Sequence, residues 1–419
     1  MDDKESEMTD GVDPPVDPPP ISIELSELVS LWGEKVNPKT LGTEVLHYSI
    51  PSWTTNKPEL VHASVIQSTK YLLPPEAILV SRLNPSTHKV WRLKKNGFEG
   101  VRLGSTEWAV VVPNEIDRLP YIHCCLEQQS FRFQMLSYVT GTTNSHQRVK
   151  ATDFLKLEIP LLGRRTETIL GNIHCDVADY NETITKQEDL VNSLISTMFR
   201  SWFIDFEPVK SKAEGRLPYG MNEEIAALFP DSFEDSRLGA IPVGWEETNL
   251  RDIRFIKGKI PEKSTTLHES TQVIDMDLIM FGIHKTASSE NAVMACERDV
   301  LMLMDGENSG FIVRTPTNGA VGSTFAIIEH DELDRHYLLE LLLQNEYWIR
   351  RNTTGTGIPH VDKEIVRRIE FALPPKEIRE EFFMAVEVLL AATTQSRDTA
   401  SYLSNVRDSV IPQFMSSSS

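Results

Sequence analysis

A chain of 419 residues, 40% hydrophobic and 25% charged, has the composition of a soluble globular protein, with length for two or three domains and ample core. No run of 18 apolar residues occurs, so a membrane-spanning helix is not expected. The formal charge of −19 argues against nucleic-acid binding, because phosphate contacts need Lys and Arg, until its distribution is followed along the chain.

Residues 1–20 read as a disordered, acidic, Pro-rich tail. They lack the basic start and apolar stretch of a signal peptide, which points to the cytoplasm. Residues 1–30 alone hold nine Asp or Glu against one Lys. The four cysteines include no C-x-x-C pair and read as packed thiols rather than zinc ligands.

Residues 21–160 form the first expected domain. The apolar runs at 77–83 and 108–113 read as strands, and 117–138 as an apolar-periodic helix. This region is basic: residues 70–165 carry 14 Lys or Arg against 8 Asp or Glu. Arg82, His88, Lys89, Arg92, Lys94 and Lys95 crowd a loop or hairpin with Asn84, Trp91 and Asn96. Arg and Asn read base edges bidentately and Lys mostly meets phosphate, so Arg82, Asn84, Lys89, Arg92, Lys94 and Lys95 are candidate DNA contacts. Arg148 and Lys150 join them as candidate phosphate contacts. A solvated charged face is the plainer reading of the same residues.

From residue 161 to 207 the pattern becomes helical. Ile169, Ile173, Val177, Tyr180, Ile184, Val191, Leu194, Met198 and Trp202 recur at intervals of three, four or seven, an apolar seam of coiled-coil type. A 40-residue helix spans roughly 60 Å. Trp202, Phe203 and Phe206 exceed what a helix pair needs and are candidates for docking a partner, or for packing at the end of the coil. Residues 208–244, rich in Pro and Gly, read as a connector with one short helix at 222–229.

Residues 245–375 form the second expected domain, with strands at 299–304 and 324–329 and a helix at 331–350. Its comparable candidates for DNA contact are Lys257, Lys259, Lys263, Lys285, Arg314 and Asn318. This half opens acidic, with 15 Asp or Glu against 8 Lys or Arg in residues 231–310. A second long helix is expected over 376–415.

The halves are copies. TGTTNSHQRVKATDFLKLEIPLL from Thr140 answers TGTGIPHVDKEIVRRIEFALPP from Thr354, with Gly141 and Gly355, His146 and His360, and Pro160 and Pro374 each 214 apart. LGSTEWAVVVP from Leu103 answers VGSTFAIIEH from Val321. A period this long indicates duplicated domains, not a solenoid. The paired histidines read as braces of the turn before the last strand. The expected fold is mixed α/β (α+β): two similar globular domains separated by two long helices that bury their seams by pairing as an antiparallel coiled coil.

No G-x-x-x-x-G-K-[ST] phosphate loop and no Asn-Pro-Pro-Tyr or Asp-Pro-Pro-Tyr methyltransferase signature occurs. The stretches TGTTNSHQRVKATDFLKLEIPLL, TGTGIPHVDKEIVRRIEFALPP, LISTMFRSWFIDFEPVKSKAEG and LPYGMNEEIAALFPDSFEDSRLGAIPVGWE resemble the specificity subunits of type I restriction-modification enzymes, over about residues 21–415. The resemblance implies two target-recognition domains, each reading half of a split site in double-stranded DNA. It also implies helices that set the spacing and dock methyltransferase (modification) subunits, with restriction subunits as further partners. No catalytic residue, metal or cofactor is then expected in this chain, while partner subunits would use S-adenosylmethionine, ATP and Mg. Charge and helices alone leave two other readings open: an acidic DNA mimic or inhibitor, and a coiled-coil adaptor.

Overall fold

Strands Ala77–Ser81 and Trp108–Pro113 pair antiparallel, Ile78 opposite Val111 and Ser81 opposite Trp108, at the centre of a four-stranded sheet. Val29–Leu31 and Val90–Leu93 form its edges. The computed structural model describes residues 21–95, 98–139, 147–259, 270–355 and 357–416. It divides into two compact units, residues 1–183 with 397–419, and residues 184–396.

In the first unit, alternate side chains of the central strands serve two different cores. Ile78, Val80, Ala109 and Val111 pack with the helix Leu119–Glu127, while Leu79, Trp91, Trp108 and Val110 pack with Tyr48 and Leu73. Burial on both faces explains why these strands read as unbroken apolar runs. A five-stranded sheet, in the order Lys35–Val36, Lys70–Leu72, Val101–Gly104, Glu44–Tyr48, Glu59–His62, lies beyond the second core. Ile21–Glu24 pairs with Glu158–Leu161.

The second unit repeats this plan. Phe325–Glu329 and Val300–Leu303 sit between Arg254–Lys257 and Ile312–Arg314, and Glu246–Asn249 pairs with Glu370–Leu373. Met302, Ala326 and Ile328 face one core; Leu301, Phe325 and Ile327 face another with Ile274 and Val321. By register, Arg92 opposite Ile78 corresponds to Arg314 opposite Val300.

The long helices run Arg164–Phe203 and Lys376–Ser416. Within the first unit, Asn181 donates to Ser404 Oγ at 2.9 Å, and Leu170 and Ile411 share a core. Within the second, Ile195, Phe199, Trp202 and Phe203 share a core with Ile378, Phe382, Val386 and Leu390.

Several expectations need correction. The helix expected over 117–138 is two, Leu119–Glu127 and Gln129–Ser137, because Gln128 turns extended and its side chain satisfies the Cys124 carbonyl at 3.0 Å. The one expected over 331–350 breaks likewise at Asn345, between Arg335–Gln344 and Glu346–Arg351. Val177, Ile184 and Trp202 of the expected seam are buried, but Ile169, Ile173 and Leu194 are about half exposed, and Leu170, Ile195 and Phe199 are buried in their stead. The early turns of the first helix share their core with Leu119–Glu127 as well as with Ile411 of the second long helix, which sequence periodicity alone does not reveal. The connector is also more ordered than expected. It holds helices Glu207–Ala213 and Glu223–Leu228 and a hairpin of Phe233–Ser236 with Gly239–Pro242, and buries Met221, Phe229 and Ile241 in the second unit's core.

Candidate nucleic-acid interface

The basic cluster anticipated around Arg82–Lys95 is divided by the strand it sits on. Arg82 and Asn84, after Ala77–Ser81, and Lys89, before Val90–Leu93, lie at one end of this antiparallel pair, and Lys94 and Lys95 at the other. At the first end, the chain after Ala77–Ser81 is pinned to residues 147–149; the T-G-T at 140–142 lies outside the described residues. Asn84, in a left-handed conformation, donates its amide N–H to the Gln147 carbonyl at 2.9 Å, and Val149 donates to the Arg82 carbonyl at 3.0 Å. Arg82 donates to the Thr106 carbonyl at 2.7 Å and Arg148 to the Glu107 carboxylate at 2.7 Å. Lys150 is exposed beside them. Arg82, Asn84, Arg148 and Lys150 therefore share one loop edge.

At the other end the cations meet the first long helix. Arg92 and Lys94 both bind the Asp179 carboxylate, and Lys94 also binds Glu182. The two cations hold the Asp179 carboxyl below its usual range, although burial pushes the other way. Lys95 is exposed. Lys89 lies over the Trp53 ring, 5.5 Å from its centroid, and burial lowers its ammonium pKa.

The second unit has the equivalent loop edge. Thr354 and His360 exchange two backbone hydrogen bonds of 2.9 and 2.7 Å, closing the T-G-T turn. Gly355 has φ +100°, and a Cβ there would lie 2.5 Å from the Ile358 carbonyl oxygen, so the turn needs glycine. Asp305 receives His360 Nδ1 at 2.6 Å and Lys257 Nζ at 2.8 Å, and these partners hold its carboxyl low against a burial that raises it. His360 thus braces the turn; its counterpart His146 lies outside the described residues. Lys259 is exposed at the same strand end, and Lys263 lies outside the described residues.

The remaining candidates are engaged locally. Lys285 pairs with Asp275 at 2.8 Å and with Asp277. Asn318 accepts the Glu297 amide at 2.6 Å. Arg314 is largely buried and donates to Asn192 Oδ1 at 3.0 Å, and burial lowers its pKa. Trp202 and Phe203 are 8% and 3% exposed and stack among Phe199, Phe229 and Phe382, so they are core side chains rather than a docking face; Phe206 packs at the margin against Trp245 and Phe233. Sequence reasoning missed Arg350, which reaches the same edge and donates to Asn308 at 3.1 Å.

In sequence, the chain is 30% identical over 158 residues to the type I restriction enzyme MjaVIII specificity subunit of Methanocaldococcus jannaschii, a stretch covering 36% of this chain and 37% of that one. It is 22% identical over 283 residues to the MjaIX specificity subunit of the same organism, covering 64% of this chain and 62% of that one. Each match spans less than two thirds of the relative's length. In structure, the S subunit of a type I restriction-modification system from M. genitalium aligns over 99% of both chains, with a TM-score of 0.54 and 13% identity.

The chain is a relative of the type I restriction-modification specificity subunits.

No family model matches it. Among the described residues no helix is long and apolar enough to cross a membrane. For a relative of specificity subunits, the informative geometry is that each repeat owns a four-stranded sheet, a loop edge at the end of that sheet and half of each long helix.

Proposed function

We propose that the chain is the DNA-specificity subunit of a type I restriction-modification complex, each unit reading one half of a bipartite site. The observation that carries this reading is the duplication of a self-sufficient unit with an equivalent loop edge. In the first unit that edge gathers Arg82, Arg148 and Lys150; in the second, Lys257, Lys259 and Arg350. Lys150 and Lys259 stand exposed there, ready for phosphate. Arg92, Lys94 and Arg314, which turn to the first long helix, and Lys285, held between Asp275 and Asp277, are given roles in holding the fold.

The long helices set the distance between half-sites and carry the methyltransferase subunits. Docking is assigned to apolar side chains they leave exposed, Leu190 and Leu194 on the first and Met384 and Val388 on the second. The subunit itself is non-catalytic; its partners supply S-adenosylmethionine-dependent methylation and ATP- and Mg-dependent restriction. The test is exchange of residues 21–160 for those of a relative with another specificity, followed by methylation mapping of the assembled complex. Change in one half-site only is expected. Simultaneous change of both would overturn the assignment of one half-site to each unit.

A further inference from the structure

His123 and Glu127 stand one turn apart on the helix Leu119–Glu127, and His174 faces them from the first long helix, all within the first unit. His174 Nε2 lies 3.0 Å from one Glu127 carboxylate oxygen and His123 Nε2 lies 3.4 Å from the other. Both imidazoles are at least 97% buried, with ring centroids 4.9 Å apart. The other nitrogen of His174, Nδ1, is buried with no hydrogen-bond partner among the described residues. Leaving a polar atom of a buried ring unsatisfied is costly, and a purely structural Glu–His network does not require it.

The donor atoms of the three residues all lie within 4.8 Å of one another. A tetrahedral ion with bonds of about 2.0–2.1 Å needs donors about 3.4 Å apart, which these side chains reach by small rotations. The second nitrogen of His123 is engaged by Cys175 Sγ at 3.8 Å, which leaves Nε2 directed at the carboxylate. The close approach of the two helices is built in: a Cβ on Gly171, one turn before His174, would fall 2.5 Å from the Tyr121 backbone nitrogen.

We propose that His123, Glu127 and His174 form a zinc site that clamps the first unit's domain to the long helix. The fourth position opens on a cavity of about 760 Å³ lined also by Gln128, Arg407 and Asp408, from which water or a further ligand completes the coordination. The second unit's own helix junction is built from an ion-pair cluster. There Glu387 is met by Arg298 at 2.5 Å, Arg335 at 2.9 Å and His336 at 2.7 Å, so the two arginines supply the charge.

The test is zinc content and thermal stability of the full-length chain, stripped with chelator and re-titrated with zinc. One zinc per chain is expected, with a higher melting temperature on binding, and cobalt in its place should give the intense visible bands of four-coordination. Glu127→Gln, which keeps the side chain's size, and His174→Gln should each lose the bound zinc and the thermal shift. Should His174→Gln fail to fold, Glu127→Gln decides alone. No stoichiometric zinc in the parent chain, or undiminished zinc in the Glu127→Gln protein, would overturn the proposal.

Discussion

Glu387→Ala removes the carboxylate on which Arg298, Arg335 and His336 converge, and its cost follows from their burial. Deleting one partner of a buried ion pair costs about 3–5 kcal/mol, because the opposite charge is left unpaired. Here His336 is fully buried and Arg298 is 18% exposed, but Glu387 and Arg335 are 27% and 37% exposed, so water recovers part of the loss. A penalty of about 2–3 kcal/mol is expected after that discount. For a unit of some 200 residues this lowers the melting temperature by roughly 4–12 °C. Calorimetry gives the shift, and hydrogen exchange locates it. Amides of Val300–Leu303 and Ile312–Arg314 should lose protection while those of Ala77–Ser81 keep theirs. Glu380→Ala, which breaks only the exposed pair with Lys376 on the same helix, should leave the transition where it is. An unmoved transition in Glu387→Ala, or equal loss of protection in both units, would refute the reasoning.

Phe382→Ala, at a fully buried ring touching Phe199, Trp202 and Phe203, should cost about 3–5 kcal/mol in urea unfolding. Acid should destabilise the second unit in two overlapping windows, read by unfolding at stepped pH. Burial pushes His336 down to about 4 from 6.5, so its contribution is lost as pH falls through that interval. Burial raises Glu387, but hydrogen bonds from His336 and Arg335 outweigh it and hold the carboxyl at about 2, so a further loss runs from 4.5 downward. Lys150→Glu and Lys259→Glu should each weaken DNA binding similarly across sequences and reduce the salt slope by about 1. Arg92→Ala should lower the stability of the first unit, by loss of its Asp179 partner, without changing the recognised bases in methylation mapping.

The duplication and the central strands were legible in the sequence because both leave local marks. The strands at 77–81, 108–113, 300–303 and 325–329 are buried on both faces, so each reads as an apolar run. The short strands of the five-stranded sheet, two to five residues each, leave no such mark. The site was legible only in part. Arg92 and Lys94 looked like free cations because Asp179 and Glu182 stand more than 80 residues away, and only the fold brings them into contact. Trp202 and Phe203 looked surplus to a helix pair because their true neighbours, Phe229 and Tyr337, come from the connector and the second domain. His123 and His174 formed no motif, since 51 residues separate them and Gly171 makes the contact possible.

Two readers in one chain, each with its own half-site, is the central claim, and methylation mapping of DNA exposed to the complex assembled on this chain tests it most directly. The account predicts modified positions in two short half-sites separated by a fixed number of unread base pairs. A single uninterrupted motif, or a methylation pattern that does not depend on this chain, would contradict it.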